Sequence, residues 1–157
     1  MKNIKNKMLS KTFLISLLFR QNKWHQHGVF LHTLRVVYYA LKAKDYKLIG
    51  GAFLHDIGKP FVAYDKHDDE VPFFEYSFTD HEETSYQLIK NWFFLSDYTK
   101  QIVRYHYLIR DMDWSQHENQ TRYKSKKTIW DNLDSEMQDD LARFLVYDDL
   151  GKGKRRI

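Results

Sequence analysis

Two adjacent side chains, His55 and Asp56, are the first pair in the sequence that could perform chemistry. They lie in the segment 54–60, LHDIGKP, at the predicted end of an apolar helix. A neutral imidazole and a neighbouring carboxylate can bind one divalent ion, such as Mn, Fe, Co, Ni, Zn or Mg. Lys59 follows three residues later, close enough to meet an anionic substrate. A structural hydrogen bond at the helix end is an equal alternative, because a dipeptide alone is a weak motif.

Two further potential ligands lie on other predicted helices. His32 is on the helix that precedes the one ending in His55 and Asp56, and a short connection makes such helices antiparallel neighbours. Asp148 follows an apolar run near the end of the chain, where an unpaired buried charge would be costly and a metal would relieve that cost. Asp148 and Asp149 could instead form a solvated helix end.

The composition restricts the kind of metal site. The chain has 8 His and no Cys, which excludes disulfides, thiolate zinc sites, iron–sulfur clusters and cysteine nucleophiles. Any metal must therefore be held by His, Asp, Glu and water. With 157 residues, 43% of them hydrophobic and 29% charged, the sequence predicts a single soluble domain over residues 1–157, and we expect it in the cytoplasm.

The two ends of the chain are basic. A net charge of +4 comes largely from residues 1–7 and from a basic tail at residues 151–157. Such ends suit a phosphate-bearing partner such as nucleic acid, although solvated basic tails are also common.

The elements that must position these side chains have helical periodicity. A leading helix in residues 1–20 is too short to span a membrane, and its apolar face is predicted to contain Leu9, Phe13, Leu14, Leu17 and Leu18. In the next helix, residues 29–42, the predicted inward side contains Leu34, Val37, Tyr38 and Leu41. Residues 46–57 form a third predicted helix, which the sequence Gly-Lys-Pro should terminate.

The second half of the chain gives weaker signals. We expect a long loop over residues 61–78, followed by a helix that starts at Thr79 with a capping box to Glu82. Ser96 is predicted to cap the next helix, residues 113–127 are predicted to be irregular, and Ser135 is predicted to cap a last helix that ends at Leu150. No convincing strand pattern occurs, so the predicted fold class is all-α.

In order and helical setting, His32, His55, Asp56 and Asp148 resemble the pattern of the HD-domain metal-dependent phosphohydrolases. Within that family the chain is most similar to the HD domain of bacterial tRNA nucleotidyltransferases. This likeness is carried by residues 21–25, 29–34, 54–60, 78–82, 95–97 and 102–106, and it extends over roughly residues 21–149. The polymerase-like domain of those relatives has no counterpart in these residues, so we do not expect CCA addition.

The resemblance implies a bundle of about six to seven helices around a buried site for one or two divalent ions (Mn, Ni, Co, Fe, Mg or Zn). It also implies that His81 and His106 hold a second ion, although histidines at such spacing are, on spacing alone, more often surface or capping residues. His25 matches a histidine near the mouth of the site. Lys59 is the candidate for stabilising transition-state charge, and Arg35 is a candidate for binding an outer phosphate. The last ligand is Asp148 if the family register holds, with Asp149 as the alternative.

The function that follows is hydrolysis of a nucleotide or RNA-end phosphate by metal-activated water, with Asp56 and Lys59 as catalytic residues. The enzyme would be a phosphomonoesterase or a 2′,3′-cyclic phosphodiesterase. One alternative is a free nucleotide or deoxynucleotide hydrolase, and another is a non-catalytic, metal-stabilised module that binds nucleic acid or protein. The aromatic residues Tyr64, Phe73, Phe74 and Tyr76 could stack on a base, but sequence does not distinguish stacking from burial.

Overall fold

The structure is a computed structural model, and it describes residues 7–19, 25–66, 71–72 and 75–153. Every regular element in these residues is helical and none is a strand, so the predicted all-α class is confirmed. The helices are α1 (Lys11–Leu18), α2 (Val29–Lys42), a 3-10 turn (Tyr46–Leu48), α3 (Ile49–Leu54), α4 (Lys59–Lys66), α5 (His81–Ile89), α6 (Asp97–Tyr105), α7 (Leu108–Glu118), α8 (Gln120–Asp131) and α9 (Ser135–Gly151).

Some sequence features fall outside the described residues. They are the start of the leading segment (1–6), residues 21–24 of the family resemblance, the aromatic residues Phe73 and Phe74, and the tail beyond residue 153. None of the described helices is long and apolar enough to cross a membrane.

The main core lies between α2, α3, α6 and α9. The short α3 packs on α2 and α6, and α9 packs along α2. The buried side chains at this junction are Val36, Leu48, Ala52, Ile102, Met137, Leu141 and Phe144. A smaller cluster of Leu54, Ile89 and Val103 joins α3 to α5 and α6. The C-terminal end of α3 therefore lies at the centre of the bundle.

The predicted inward face of α2 is wrong. Leu34, Tyr38 and Leu41 are exposed, and only Val37 of the predicted set packs partly against the core. The buried face instead contains Val29, His32, Thr33, Val36 and Ala40. Helix α2 has apolar residues on two faces, and the face with smaller side chains permits the close approach of α9. Periodicity does not indicate which of two apolar faces turns inward.

The predicted apolar face of α1 is also largely wrong. Of its predicted residues, Phe13 is buried, whereas Leu9, Leu14 and Leu18 are exposed. The small polar residues Thr12 and Ser16 are buried in their place. The ring of Phe13 packs edge-on against Phe61 of α4, with ring centroids 5.0 Å apart.

Two segments predicted to lack regular structure are helical. Helix α4 occupies the start of the expected loop. Pro60 does not prevent this helix, because it lies in the first turn, where proline is tolerated. The polar stretch 113–127 falls within α7 and α8, which pack on each other. No residue of α8 is buried, so the sequence of that helix has no apolar stripe to reveal it.

The helix starts differ from the predictions in two of three cases. Ser96 caps α6 as predicted, accepting a hydrogen bond from the Thr99 N–H at 3.1 Å. Helix α5 begins at His81, after Asp80 in the left-handed region (φ 67°), and without a side-chain cap. At the start of α9 the capping residue is Asp134, which accepts from the Met137 N–H at 2.7 Å, and Ser135 is the first helical residue.

Candidate metal centre

His55 and Asp56 lie in the turn between α3 and α4 and are fully buried. Gly58 lets this turn approach α5 closely, since a Cβ at Gly58 would lie 2.6 Å from the carbonyl oxygen of His81. The Gly58 N–H also donates to Ser85 Oγ at 2.9 Å. This contact brings Asp56 next to His81.

A first group of ligand atoms comes from three helical segments. His32 on α2 faces His55, with their Nε2 atoms 3.2 Å apart. Asp56 Oδ2 lies 3.3 Å from His32 Nε2 and 3.2 Å from His55 Nε2. Asp148 on α9 places Oδ1 2.9 Å from His32 Nε2 and 3.7 Å from His55 Nε2. The four side chains predicted from the sequence are therefore brought together.

A second group is formed around the other oxygen of the same carboxylate. The Nε2 atoms of His81 and His106 are 3.1 Å apart. Asp56 Oδ1 lies 3.4 Å from His81 Nε2 and 3.7 Å from His106 Nε2. Asp56 thus joins two histidine pairs, one at each carboxylate oxygen, and Asp56 with either pair could hold a metal ion.

Three of the four histidines are oriented by the backbone. The Nδ1 atoms of His55, His81 and His106 lie 2.9, 2.7 and 2.7 Å from the carbonyl oxygens of Ala52, Phe78 and Val103, respectively. A proton on Nδ1 leaves the Nε2 lone pair directed at the centre, which is the usual arrangement of metal-binding histidines.

The donor set fits divalent cations. Two ligand nitrogens about 2.0–2.1 Å from one ion are about 2.8–3.0 Å apart at octahedral angles and about 3.3–3.4 Å apart at tetrahedral angles. The N···N distances of 3.1 and 3.2 Å lie between these values. Without an ion, two neutral imidazoles that both carry their proton on Nδ1 would direct their Nε2 lone pairs at each other at contact distance. The residues present therefore fit one ion in each group.

The electrostatics of the centre favour a positive charge. Burial opposes protonation of His55, but Asp56 and Asp148 outweigh it and raise the pKa of His55 to about 9. Burial likewise opposes ionisation of Asp56, but His55 and Lys59 hold its pKa well below the ordinary value. Burial and the neighbouring His55 and His81 depress the pKa of His106. A bound ion would take the place of the proton on His55.

Lys59 opens α4 and is buried beside the first group. Its Nζ lies 2.7 Å from Asp56 Oδ2, so Lys59 forms a buried ion pair at the centre.

The structure distinguishes the two aspartates at the end of α9. Asp148 faces the histidines, whereas Asp149 is half exposed and accepts from Arg110 at 2.7 Å and Lys152 at 2.8 Å. The same two cations lie 3.4 and 3.2 Å from Asp148 Oδ2, the oxygen turned away from the histidines. Sequence reasoning missed Arg110 and Lys152, and the only signal was the i, i+4 spacing of Asp148 and Lys152.

His25 and Arg35 lie at the edge of the centre. The buried ring of His25 packs perpendicular to His32, with centroids 5.4 Å apart, and burial and the nearby Lys59 lower its pKa to about 2. Arg35 donates to the carbonyl oxygens of Gly151 at 3.0 Å and Leu150 at 3.3 Å. Arg35 is therefore not gathered with the ligand atoms and instead fixes the C-terminal end of α9, close to Asp148.

Gly151 allows α9 to approach α2 at this point, since a Cβ there would lie 2.5 Å from Val36 Cγ2 and 3.1 Å from the His32 ring. A side chain at this position would therefore force Val36 to move and would crowd the His32 ring.

Comparison with known proteins identifies one family. A family model described as the HD domain matches residues 29–146, which include His32, His55, Asp56, His81 and His106. No curated protein and no solved structure matches the chain. Members of the matched family are generally metal-dependent hydrolases. The match covers most of the chain and includes both histidine pairs, and the protein belongs to the HD domain family.

Proposed function

We propose that the protein is a metal-dependent phosphohydrolase that acts on the phosphate of a nucleotide or of an RNA end. It would act as a phosphomonoesterase or as a 2′,3′-cyclic phosphodiesterase. The observation that carries this proposal is the Asp56 carboxylate shared between two histidine pairs, 3.2–3.7 Å from all four Nε2 atoms. A purely structural site would need only one closed set of ligands.

The chain's own residues have separable roles in this proposal. Bound divalent ions would neutralise charge on phosphoryl oxygens and lower the pKa of water to supply the nucleophile. Lys59 Nζ has three donors, one of which points to Asp56, so another can bind a phosphoryl oxygen. The backbone carbonyls behind His55, His81 and His106 hold the imidazoles in place before substrate arrives.

The choice of substrate rests on the motifs shared with the HD domain of bacterial tRNA nucleotidyltransferases, together with the basic ends of the chain. A free nucleotide or deoxynucleotide hydrolase would use the same centre and differ only in what it binds. A substrate panel separates these possibilities.

The first experiment is metal analysis of the purified protein, followed by assays with Mn, Ni, Co, Fe, Mg or Zn added singly. Substrates should include mono- and bis-nitrophenyl phosphate, 2′-nucleotides, 2′,3′-cyclic nucleotides, deoxynucleotides and RNA with a cyclic phosphate end. We expect metal-dependent phosphate ester cleavage with preference for the 2′- or 2′,3′-cyclic compounds. Preference for free deoxynucleotides would favour the alternative hydrolase.

Asp56→Asn and Asp149→Asn form a matched pair of variants for this assay. Both remove one carboxylate charge, but only Asp56 lies among the histidines. We expect Asp56→Asn to abolish turnover and Asp149→Asn to retain most of it. No turnover by the wild type with any of the six metals, or equal turnover by Asp56→Asn, would refute the proposed enzyme.

A further inference from the structure

The face of α2 opposite the metal centre is apolar and exposed. His32 and Val36 on one face are buried, and the residues on the other face are 42–56% exposed. These exposed residues are Phe30, Leu31, Leu34, Tyr38 and Leu41. The helix contains no acidic residue, and its charged residues are Arg35 and Lys42. A contiguous apolar strip of this kind on a soluble protein commonly marks an interaction surface.

The spacing of this strip is that of a helix–helix seam. Leu31, Leu34, Tyr38 and Leu41 are separated by 3, 4 and 3 residues, the a and d spacing of a heptad repeat. The four positions are also symmetric about Val36. An antiparallel copy of the same helix would therefore place Leu34 opposite Tyr38 and Leu31 opposite Leu41. Such self-complementarity is what a two-fold contact between identical chains requires.

The charges on α2 favour the antiparallel arrangement. In that register Lys42 meets Phe30 of the other copy, and Arg35 meets Val37. A parallel arrangement would place Lys42 against Lys42. The guanidinium of Arg35 is in addition engaged with the carbonyl oxygens of α9.

The exposed area suits a weak interface. From their exposed fractions, the five residues present roughly 450 Å² per copy. Two copies that covered all of this area would bury roughly 900 Å², which is the size of a weak, concentration-dependent contact between identical chains.

We propose that the protein forms a two-fold dimer in which α2 of one copy packs antiparallel against α2 of the other. The seam is Leu31, Leu34, Tyr38 and Leu41, with Leu34 of each copy against Tyr38 of its partner. This dimer does not depend on the proposed hydrolase activity.

The dimer is tested by mass measurement in solution, using sedimentation equilibrium or light scattering from roughly 1 µM to roughly 500 µM protein. We expect a concentration-dependent dimer, weakened about tenfold or more by Leu34→Lys or Tyr38→Asp alone. The control is Phe93→Lys, at a 96% exposed position in the loop after α5, and it should leave the dimer unchanged. Circular dichroism should show the same helix content for all variants.

Mixing the two single variants tests the register. The antiparallel seam places the new lysine of the Leu34→Lys chain opposite the new aspartate of the Tyr38→Asp chain, so the mixture should dimerise at a lower concentration than either variant alone. A monomeric wild type at every concentration, or a dimer that survives Leu34→Lys, would overturn the proposal. Failure of the mixture to dimerise would overturn it as well. Binding of the monomeric wild type, but not Leu34→Lys, to phosphatidylcholine–phosphatidylserine vesicles would assign the face to lipid instead.

Discussion

Replacement of Asp56 by Asn should remove both ion sites at once, because the two carboxylate oxygens serve different histidine pairs. Asn has nearly the same shape but no negative charge, and it offers only one oxygen. Replacement of His106 by Ala should remove the second site alone. Stabilisation by added metal should therefore be largest in the wild type, smaller in His106→Ala and smallest in Asp56→Asn.

The size of the effect follows from linkage between binding and folding. An ion at 100 times its Kd stabilises the folded state by about 2.7 kcal/mol per site. For a domain of this length, 1 kcal/mol corresponds to about 2–4 °C in Tm. One filled site should raise Tm by about 5–10 °C, and two filled sites by about twice as much. Asp56→Asn should show almost no rise.

The assay is thermal unfolding followed by circular dichroism, with each variant measured in chelator and then with excess Mn²⁺ or Ni²⁺. Each variant is compared with its own metal-free state, so a loss of stability caused by the substitution itself does not affect the result. Asp149→Asn is the control and should keep the full wild-type shift. If Asp56→Asn gained as much in Tm as the wild type, the shared-carboxylate site would be wrong.

Three further predictions concern the residues that support the centre. Arg110→Met removes the cation beside the outer oxygen of Asp148 and should lower the affinity for metal about 10- to 100-fold, whereas Arg110→Lys should lower it less. Equal metal affinities of the wild type and Arg110→Met in isothermal titration calorimetry would show that Arg110 only covers the surface. Gly58→Ala should lower the free energy of unfolding by about 1–3 kcal/mol or more, because its Cβ would meet backbone atoms at 2.6 Å. Gly50→Ala should lower it less, because its Cβ would meet only a threonine side chain at 3.1 Å. Equal losses of stability in denaturant unfolding would contradict the close approach at Gly58. Burial opposes ionisation of Asp111, but its basic partners on α8 hold the pKa of Asp111 below the ordinary value. The contribution of Asp111 to stability is therefore present above the unfolded pKa of about 3.9 and is lost as pH falls through the folded pKa. The free energy of unfolding should therefore decline more steeply below about pH 4 in the wild type than in Asp111→Asn, and parallel curves would contradict this assignment.

Helix positions were predictable where a strong periodic or capping signal existed. Ser96 and the helix it caps and the extent of α2 are examples, whereas α3 ends at Leu54, three residues before its predicted end. The signal failed for α8, which buries no residue, and for α4, whose proline was interpreted as a stop although it lies in the first turn. It also failed for the inward face of α2, since Leu34 and Tyr38 satisfy the same periodicity as Val36 and Ala40.

The sequence by itself determined the donor types, the absence of thiolate chemistry and the order of His32, His55, Asp56, His81, His106 and Asp148 along helical segments. These properties depend on residue identity and on local spacing, which the chain carries without its fold. Only the tertiary structure decided that Asp56 gives one oxygen to each histidine pair and that Asp148, held by Arg110 and Lys152, faces the pair on α2 and α3. Those contacts depend on how helices distant in sequence cross, and local periodicity does not determine the crossing of helices.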